Sequence, residues 1–263
     1  MLITLYLYTI VFIFGAIIGS FLNVCIYRIP AGLSIVKPRS RCGSCERTLS
    51  ALDLVPILSW VFLKGRCRTC GVKISIRYPL VEALEGALFL VIFARFGLSY
   101  LTLTSWLFAA FLTVVYFIDI DHKIIPNKLV IFGCLIGLIP VLMHVTIGYP
   151  LYYSRAFYEP ILGIVIPFTL MLATAFLSLI LLKKPGMGMG DVKVYAPIGL
   201  FLGWQLSLMS LWFAFFLGGL FGIFWMVVLR KSKADYIPFA PFIVIGSLIS
   251  LLYGKYIYII LLS

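Results

Sequence analysis

Polar and apolar positions in this chain separate into long blocks rather than alternating at a strand period. A helix that crosses a bilayer needs about 20 mostly apolar residues in a row. Residues 1–27 carry no charge and supply the first such block. Residues 28–78 break the pattern with ten basic residues, four cysteines and several prolines. Apolar blocks resume at Val81–Phe96, which holds Glu82 and Glu85 near its start, and at Leu98–Ile118, which ends at Asp119. Two more follow: Leu129–Ile147 after Pro126-Asn127, and Ile161–Leu182 after the Gly/Pro/Tyr-rich link Gly148–Pro160. The uncharged run Val194–Leu229 is too long for one helix and is expected to turn near Gly203-Trp204-Gln205. Ile237–Leu262 is the last block. The pattern predicts an all-α integral membrane protein of about eight transmembrane helices. Its expected organisation is a first helix over 1–27, a polar loop over 28–78 and a transmembrane core over 79–263. No soluble second domain, low-complexity segment or internal repeat is read.

Composition agrees. Of 263 residues, 63% are hydrophobic and 11% charged, so too little polar surface exists to cover a soluble core of this size. The net charge of +12 would suggest nucleic acid in a soluble protein, but here the bases lie between apolar blocks. Membrane topology explains them without a nucleic-acid partner. If residues 28–78 face the cytoplasm, 18 of the 21 Lys and Arg fall on that side. Only Arg95, Arg155 and Lys255 lie outside, a strong positive-inside asymmetry. No Lys or Arg precedes Arg28 and no small-residue cleavage site follows, so the first block is expected to be a span, not a removable signal.

Four of the six cysteines form two CxxC knuckles, Cys42-Gly-Ser-Cys45 and Cys67-Arg-Thr-Cys70, with 21 residues between them. Each knuckle turns two sulfurs toward one ion, and two knuckles complete a tetrahedral site. Four thiolates leave no open position for water, so structural zinc is expected, with Arg41, Arg47, Arg66 and Arg68 offsetting the negative charge. The alternatives are unrelated free cysteines, or CxxC redox chemistry, for which no thioredoxin-like βαβ pattern is present. Cys25 and Cys134 lie in apolar runs and read as packing residues.

Only nine acidic residues are present, so their places carry information. Asp119 and Asp121 sit where the third span ends, and Asp191 follows the glycine-rich Gly186–Gly190 where the sixth begins. Ionisable groups at a membrane boundary are costly and default to a functional hypothesis. Two carboxylates from different helices can share a proton, one acting as base on water while the other polarises a carbonyl. Gly188 and Gly190 would let a substrate strand approach the backbone closely. The plain alternative is that Asp119 and Asp191 are interface residues or helix caps. Asp121 reads that way, because residues two apart point differently on a helix. His122 reads as an interfacial hydrogen-bonding residue. Glu82 and Glu85 share a helix face, as a functional patch or as a pair satisfied by arginines.

With these blocks on the page, the chain resembles the type IV prepilin peptidases, membrane aspartyl proteases of the GxGD type. The resemblance rests on Gly19-Ser-Phe-Leu-Asn-Val24 with Tyr27-Arg-Ile-Pro30, both CxxC pairs, Leu54-Val-Pro-Ile-Leu-Ser-Trp60 and Lys64-Gly-Arg-Cys67. It continues in Tyr78-Pro-Leu-Val-Glu82, Ile118-Asp-Ile-Asp-His122 with Ile125-Pro-Asn127, and Gly186-Met-Gly-Met-Gly-Asp191. Gly43, where proline is frequent, and Lys64, where arginine is usual, are minor departures. The resemblance implies Asp119 and Asp191 as the catalytic pair and Cys42, Cys45, Cys67 and Cys70 as zinc ligands. It also implies removal of a short basic leader from prepilins or pseudopilins, after a glycine, at the cytoplasmic face of the bacterial inner membrane. Many members then methylate the new N-terminus with S-adenosylmethionine, and the zinc-loop form resembles those bifunctional members. The competing class is a proton-coupled transporter whose loop is stabilised by zinc. It would place its acids nearer mid-bilayer and show a repeat.

Overall fold

The computed structural model describes residues 2–183, 187–227 and 238–262. Lys184, Gly186, Arg230, Lys231, Lys233 and Ile237, which the sequence reading placed in connections or at a span start, lie outside the described residues. The described residues are helical, with two isolated β-bridges and no strand. The long helices are α1 (Leu2–Arg28), α3 (Arg77–Phe96), α4 (Tyr100–His122), α5 (Asn127–Thr146), α6 (Glu159–Leu182), α7 (Met189–Val227) and α8 (Ala240–Leu262), with a short α2 (Leu58–Phe62) in the polar loop. Six of them, all but α2 and α3, are long and apolar enough to cross a membrane. In their described residues all eight expected spans are thus helical, two of them joined in α7.

Boundaries follow local chemistry. Pro126, with extended ψ of 135°, stands just before α5, and a proline follows Glu159 in the first turn of α6. Gly97, at φ 64°, ends α3. The third expected span does not stop at Asp119. α4 runs on to His122, so Asp119 occupies a helical last turn.

The chain divides into two compact units, Met1–Val114 and Val115–Ser263. In the first, α1 and α3 approach closely at Gly15, where an added Cβ would lie 2.8 Å from the Gly86 Cα. Such small-residue contacts are a standard way for helices to associate in lipid. Beside them Phe89 stacks on Trp106 with centroids 4.8 Å apart, and the Trp106 indole donates to the Phe89 carbonyl at 3.1 Å.

In the second unit, α7 packs against α5, α6 and α8. Its helix breaks at Gly203, with φ 73° and ψ 177°, where the sequence reading placed a turn. Only glycine adopts this backbone readily. The break frees carbonyls, and side chains take them up: the Tyr152 hydroxyl donates to the Leu200 carbonyl, and the Ser207 hydroxyl to the Gly203 carbonyl at 2.6 Å. A Cβ on Gly203 would also meet the Tyr152 ring at 2.9 Å.

Candidate aspartate site and cysteine cluster

The two knuckles fold alike. The Cys42 amide donates to the Arg47 carbonyl and the Cys67 amide to the Val72 carbonyl, each at 2.9 Å. The Glu46 and Gly71 amides return to the Cys42 and Cys67 carbonyls at 3.0 Å. Bridges Arg41–Thr48 and Arg66–Lys73 close each turn. Residues 40–49 and 65–74 are thus a short structural repeat, which the sequence reading did not find. Its two halves bring the four sulfurs within 4.8 Å of one another, with Cys42 and Cys70 at 3.8 Å. A tetrahedron with Zn–S bonds of about 2.3 Å has edges of about 3.8 Å, so the cluster fits a tetrathiolate metal site.

Backbone N–H groups favour thiolate there. The Cys70 and Thr69 amides bring Cys67 down to about 6, and the Cys45 and Ser44 amides lower Cys42. At Cys45 the Arg47 amide also acts downward, but desolvation and three facing thiols leave it near 11. A bound divalent cation would offset that crowding of sulfurs.

Two of the four arginines expected to balance the sulfurs also pair with a carboxylate, and Arg47 keeps its interaction with the Cys67 sulfur as well. Asp53, whose side chain is only 4% exposed, accepts from Arg47 and Arg68, both at 2.9 Å. These arginines belong to different knuckles, so one carboxylate ties the two together. The Ser50 amide and hydroxyl complete its shell at 3.0 and 2.8 Å. The Ser50 amide first, then its hydroxyl and the two arginines, hold the Asp53 carboxyl well below the usual range. The sequence reading passed over Asp53; its signal was one of only two acids, with Glu46, between the CxxC pairs of a strongly basic loop.

In the second unit, Asp119 (3% exposed) and Asp191 (4% exposed) line one cleft of about 270 Å³. Lys123, Ile124, Ile125, Gly188, Met189 and Gly190 complete its wall. Asp119 comes from the last turn of α4 and Asp191 from the first turn of α7. The Asp191 amide donates to the Gly188 carbonyl at 3.1 Å. Gly190 backs onto Ile125, where an added Cβ would stand 3.1 Å from the Ile125 Cβ. Lys193 reaches Asn127 at 3.1 Å, tying the start of α7 to the start of α5. One contact has no counterpart in the sequence motifs: the Ala240 amide, at the start of α8, donates to an Asp119 carboxylate oxygen at 3.3 Å.

Asp121 and His122 are exposed, although Asp121 shares a helix with the buried Asp119. Glu82 accepts from the Ile57 amide and Glu85 from the Thr113 hydroxyl, both at 2.7 Å. A backbone amide and a hydroxyl therefore stand where arginines were expected. Cys25 is buried in α1, in keeping with a packing role.

The arrangement matches known proteins along nearly its whole length. The model of the bacterial peptidase A24 N-terminal domain matches residues 13–96, and that of the type IV leader peptidase family matches residues 106–223. A prepilin leader peptidase/N-methyltransferase of Bacillus subtilis is 37% identical over 94% of this chain and 94% of its own. Proteins of the same name from Aeromonas salmonicida and Neisseria gonorrhoeae are 32% and 31% identical, over 94% and 87% of this chain and 91% and 84% of theirs. No solved structure matches. The chain belongs to the type IV leader peptidase family, a multi-pass membrane protein with a four-cysteine cluster able to hold a metal.

Proposed function

We propose that this protein is a bifunctional prepilin leader peptidase and N-methyltransferase, and that Asp119 and Asp191 are its catalytic pair. The observation that carries the reading is the shared cleft: two buried carboxylates, 72 residues apart in sequence, line one cavity in a chain of this family. A pair so placed can activate a water against a peptide carbonyl. Gly188 and Gly190 give the cleft a wall without side chains, suited to an extended substrate backbone. A water between apolar walls is held against one carbonyl rather than lost to bulk.

The substrate is a prepilin or pseudopilin with a short basic leader. The excess of Lys and Arg supports residues 28–78 and both aspartates facing the cytoplasm at the inner membrane, the side of such a leader. Cys42, Cys45, Cys67 and Cys70 would hold structural zinc, which fixes the loop rather than reacting. S-Adenosylmethionine supplies the methyl group for the new N-terminus; that activity rests on family membership, and no residue of this chain is assigned to it. The transporter reading has no observation in its favour.

Mass spectrometry of a prepilin co-expressed with this protein tests the reading. We expect a pilin shortened by its leader and carrying one added methyl group. A full-length prepilin would overturn the peptidase reading, and a shortened, unmethylated one would overturn the second activity alone.

A further inference from the structure

We propose that the short helix α2 is a membrane foot, whose apolar face rests in the headgroup boundary of an anionic bilayer beside α3. The inference stands apart from the catalytic reading of the aspartates.

Leu58, Val61 and Phe62 lie three and four residues apart and so share one face of α2. The protein leaves that face open: the three residues are 54%, 54% and 80% exposed. Trp60, in the same helix, is fastened instead. Its indole donates to the Ile74 carbonyl at 3.0 Å, and a Cβ on Gly65 would stand 2.8 Å from its ring. α2 is thus fixed to the second knuckle while three large apolar side chains are turned out. An open apolar face of this kind marks an interaction surface.

A second fastening sets its height. The Ile57 amide donates to the Glu82 carboxylate at 2.7 Å. Glu82 belongs to the second turn of α3 and packs on α1, where a Cβ on Gly19 would stand 2.8 Å from the Glu82 Cα. Gly19 lies nine residues, about 13 Å along the helix, inside Arg28, the first charge of α1. A hydrogen bond to an acid at that level keeps α2 at the edge of the apolar layer rather than out in water. The backbone is strained to make it. Ile57 has φ 60° and ψ −54°, and the Leu58 amide returns to the Pro56 carbonyl, a γ-turn of the strained kind. A β-branched residue holds such a backbone only where its surroundings fix it, and here Glu82 and the Trp60 contacts do.

Charge selects the occupant. Residues 28–78 hold ten bases and two acids, Glu46 and Asp53. Asp53 is already taken by Arg47 and Arg68. Lys64, two residues past Phe62, and Arg66 and Lys73 of the second knuckle are exposed. An apolar face flanked by bases is the pattern of segments that lie in an anionic membrane surface. A basic leader is repelled by the same charges, so a prepilin is the poorer fit.

The test asks what Phe62 touches. The full-length protein is reconstituted in discs of phosphatidylcholine alone and of phosphatidylcholine mixed with phosphatidylglycerol. p-Benzoylphenylalanine is placed at position 62 by nonsense suppression, and the light-induced adducts are read by mass spectrometry, with thermal unfolding as the folding check. A phospholipid adduct is expected. In the mixed discs phosphatidylglycerol should be labelled above its share of the lipid by roughly fivefold, the preference that one base confers at such a surface. Lys64→Glu, Arg66→Glu and Lys73→Glu together should abolish that preference, and Glu82→Ala should lower the lipid adduct several-fold. The same probe at position 61 gives an independent reading from the same face. Adducts only to a second copy or to an added prepilin, or no lipid adduct from either position in a folded protein, overturn the inference. Labelling of the two lipids in proportion to their shares overturns the choice of an anionic surface.

Discussion

The cysteine cluster and the aspartate cleft are built in opposite ways. The cluster is local: its four cysteines fall within residues 42–70, and each knuckle is closed by hydrogen bonds spanning nine residues or fewer. The cleft is assembled from a distance. Asp119 and Asp191 are 72 positions apart, and the amide that contacts Asp119 is 121 positions away. Local sites are specified by turn chemistry; distant ones exist only if several helices pack correctly. The first should therefore respond to changes in its ligands and turns, the second to the loss of single atoms in its wall.

The largest effect belongs to the cleft. Asp119→Asn and Asp191→Asn are nearly isosteric but neither variant can pass a proton at that position. Each should lower prepilin cleavage by roughly 10⁴-fold or more, the scale seen when a catalytic carboxylate is lost elsewhere. Zinc content should be unchanged in both, because the cluster lies in the other unit. Asp121→Asn, at an exposed position on the same helix, should keep most activity. Cleavage assays with metal analysis on the three proteins check this. Full cleavage by either buried variant would remove that aspartate from the pair.

Next comes the cluster. Cys42→Ser or Cys70→Ser removes one of four ligands and should abolish stoichiometric zinc, with residues 28–78 losing protection from proteolysis. Cleavage should fall less than in the aspartate variants if the proposed zinc is structural. Full activity in a protein lacking all four cysteines would show that the loop does not support cleavage.

A smaller effect is expected at Asp53, which touches no sulfur ligand but ties both knuckles. Residues that orient metal ligands typically contribute 10- to 100-fold to metal affinity, so Asp53→Asn should release zinc to a chelator about tenfold faster. The pH dependence has a definite sign. The folded-state carboxyl is depressed, so its stabilisation is complete above the unfolded value of about 3.9 and fades as pH falls below it toward the folded value. The stability difference between wild type and Asp53→Asn should therefore be constant at neutral pH and shrink below about pH 4. A difference that grows on acidification would contradict the assignment.

The same contrast explains what could be read before the structure. The apolar blocks are legible because lipid imposes length and composition on each span independently. The CxxC spacing and the break at Gly203 were legible because each is written in adjacent residues. The aspartates could be named from their motifs, but not the amide at Ala240: an ordinary alanine between prolines carries no side-chain signal. Asp53 carries no signal of its own, because its importance lies in the Arg47 and Arg68 that it joins, and spacing alone does not reveal that pairing. The end of α4 was placed too early because charge was read as a stop. A buried carboxylate with a helix N-terminus to face can remain helical.

The smallest effect tests the repeat within the cluster. At matching positions, the first knuckle has Glu46 and the second Gly71, both with positive φ, 54° and 68°. An L-residue in this conformation costs roughly 1–2 kcal/mol, while glycine gives back about 0.5–1 kcal/mol through the entropy of the unfolded chain. Glu46→Gly should therefore stabilise the loop by about 0.5 kcal/mol, and Gly71→Ala should destabilise it by about the same. Space does not confuse the second substitution, because a Cβ on Gly71 meets nothing within 4 Å. Thermal unfolding of the zinc-loaded protein, read through zinc release to an indicator, would register shifts of opposite sign. If the knuckles behave as equivalent turns, the double variant should return near wild type, since the two sites are independent strains on one metal site. Shifts of the same sign would mean that the glutamate side chain, not its backbone, sets the stability of the first knuckle.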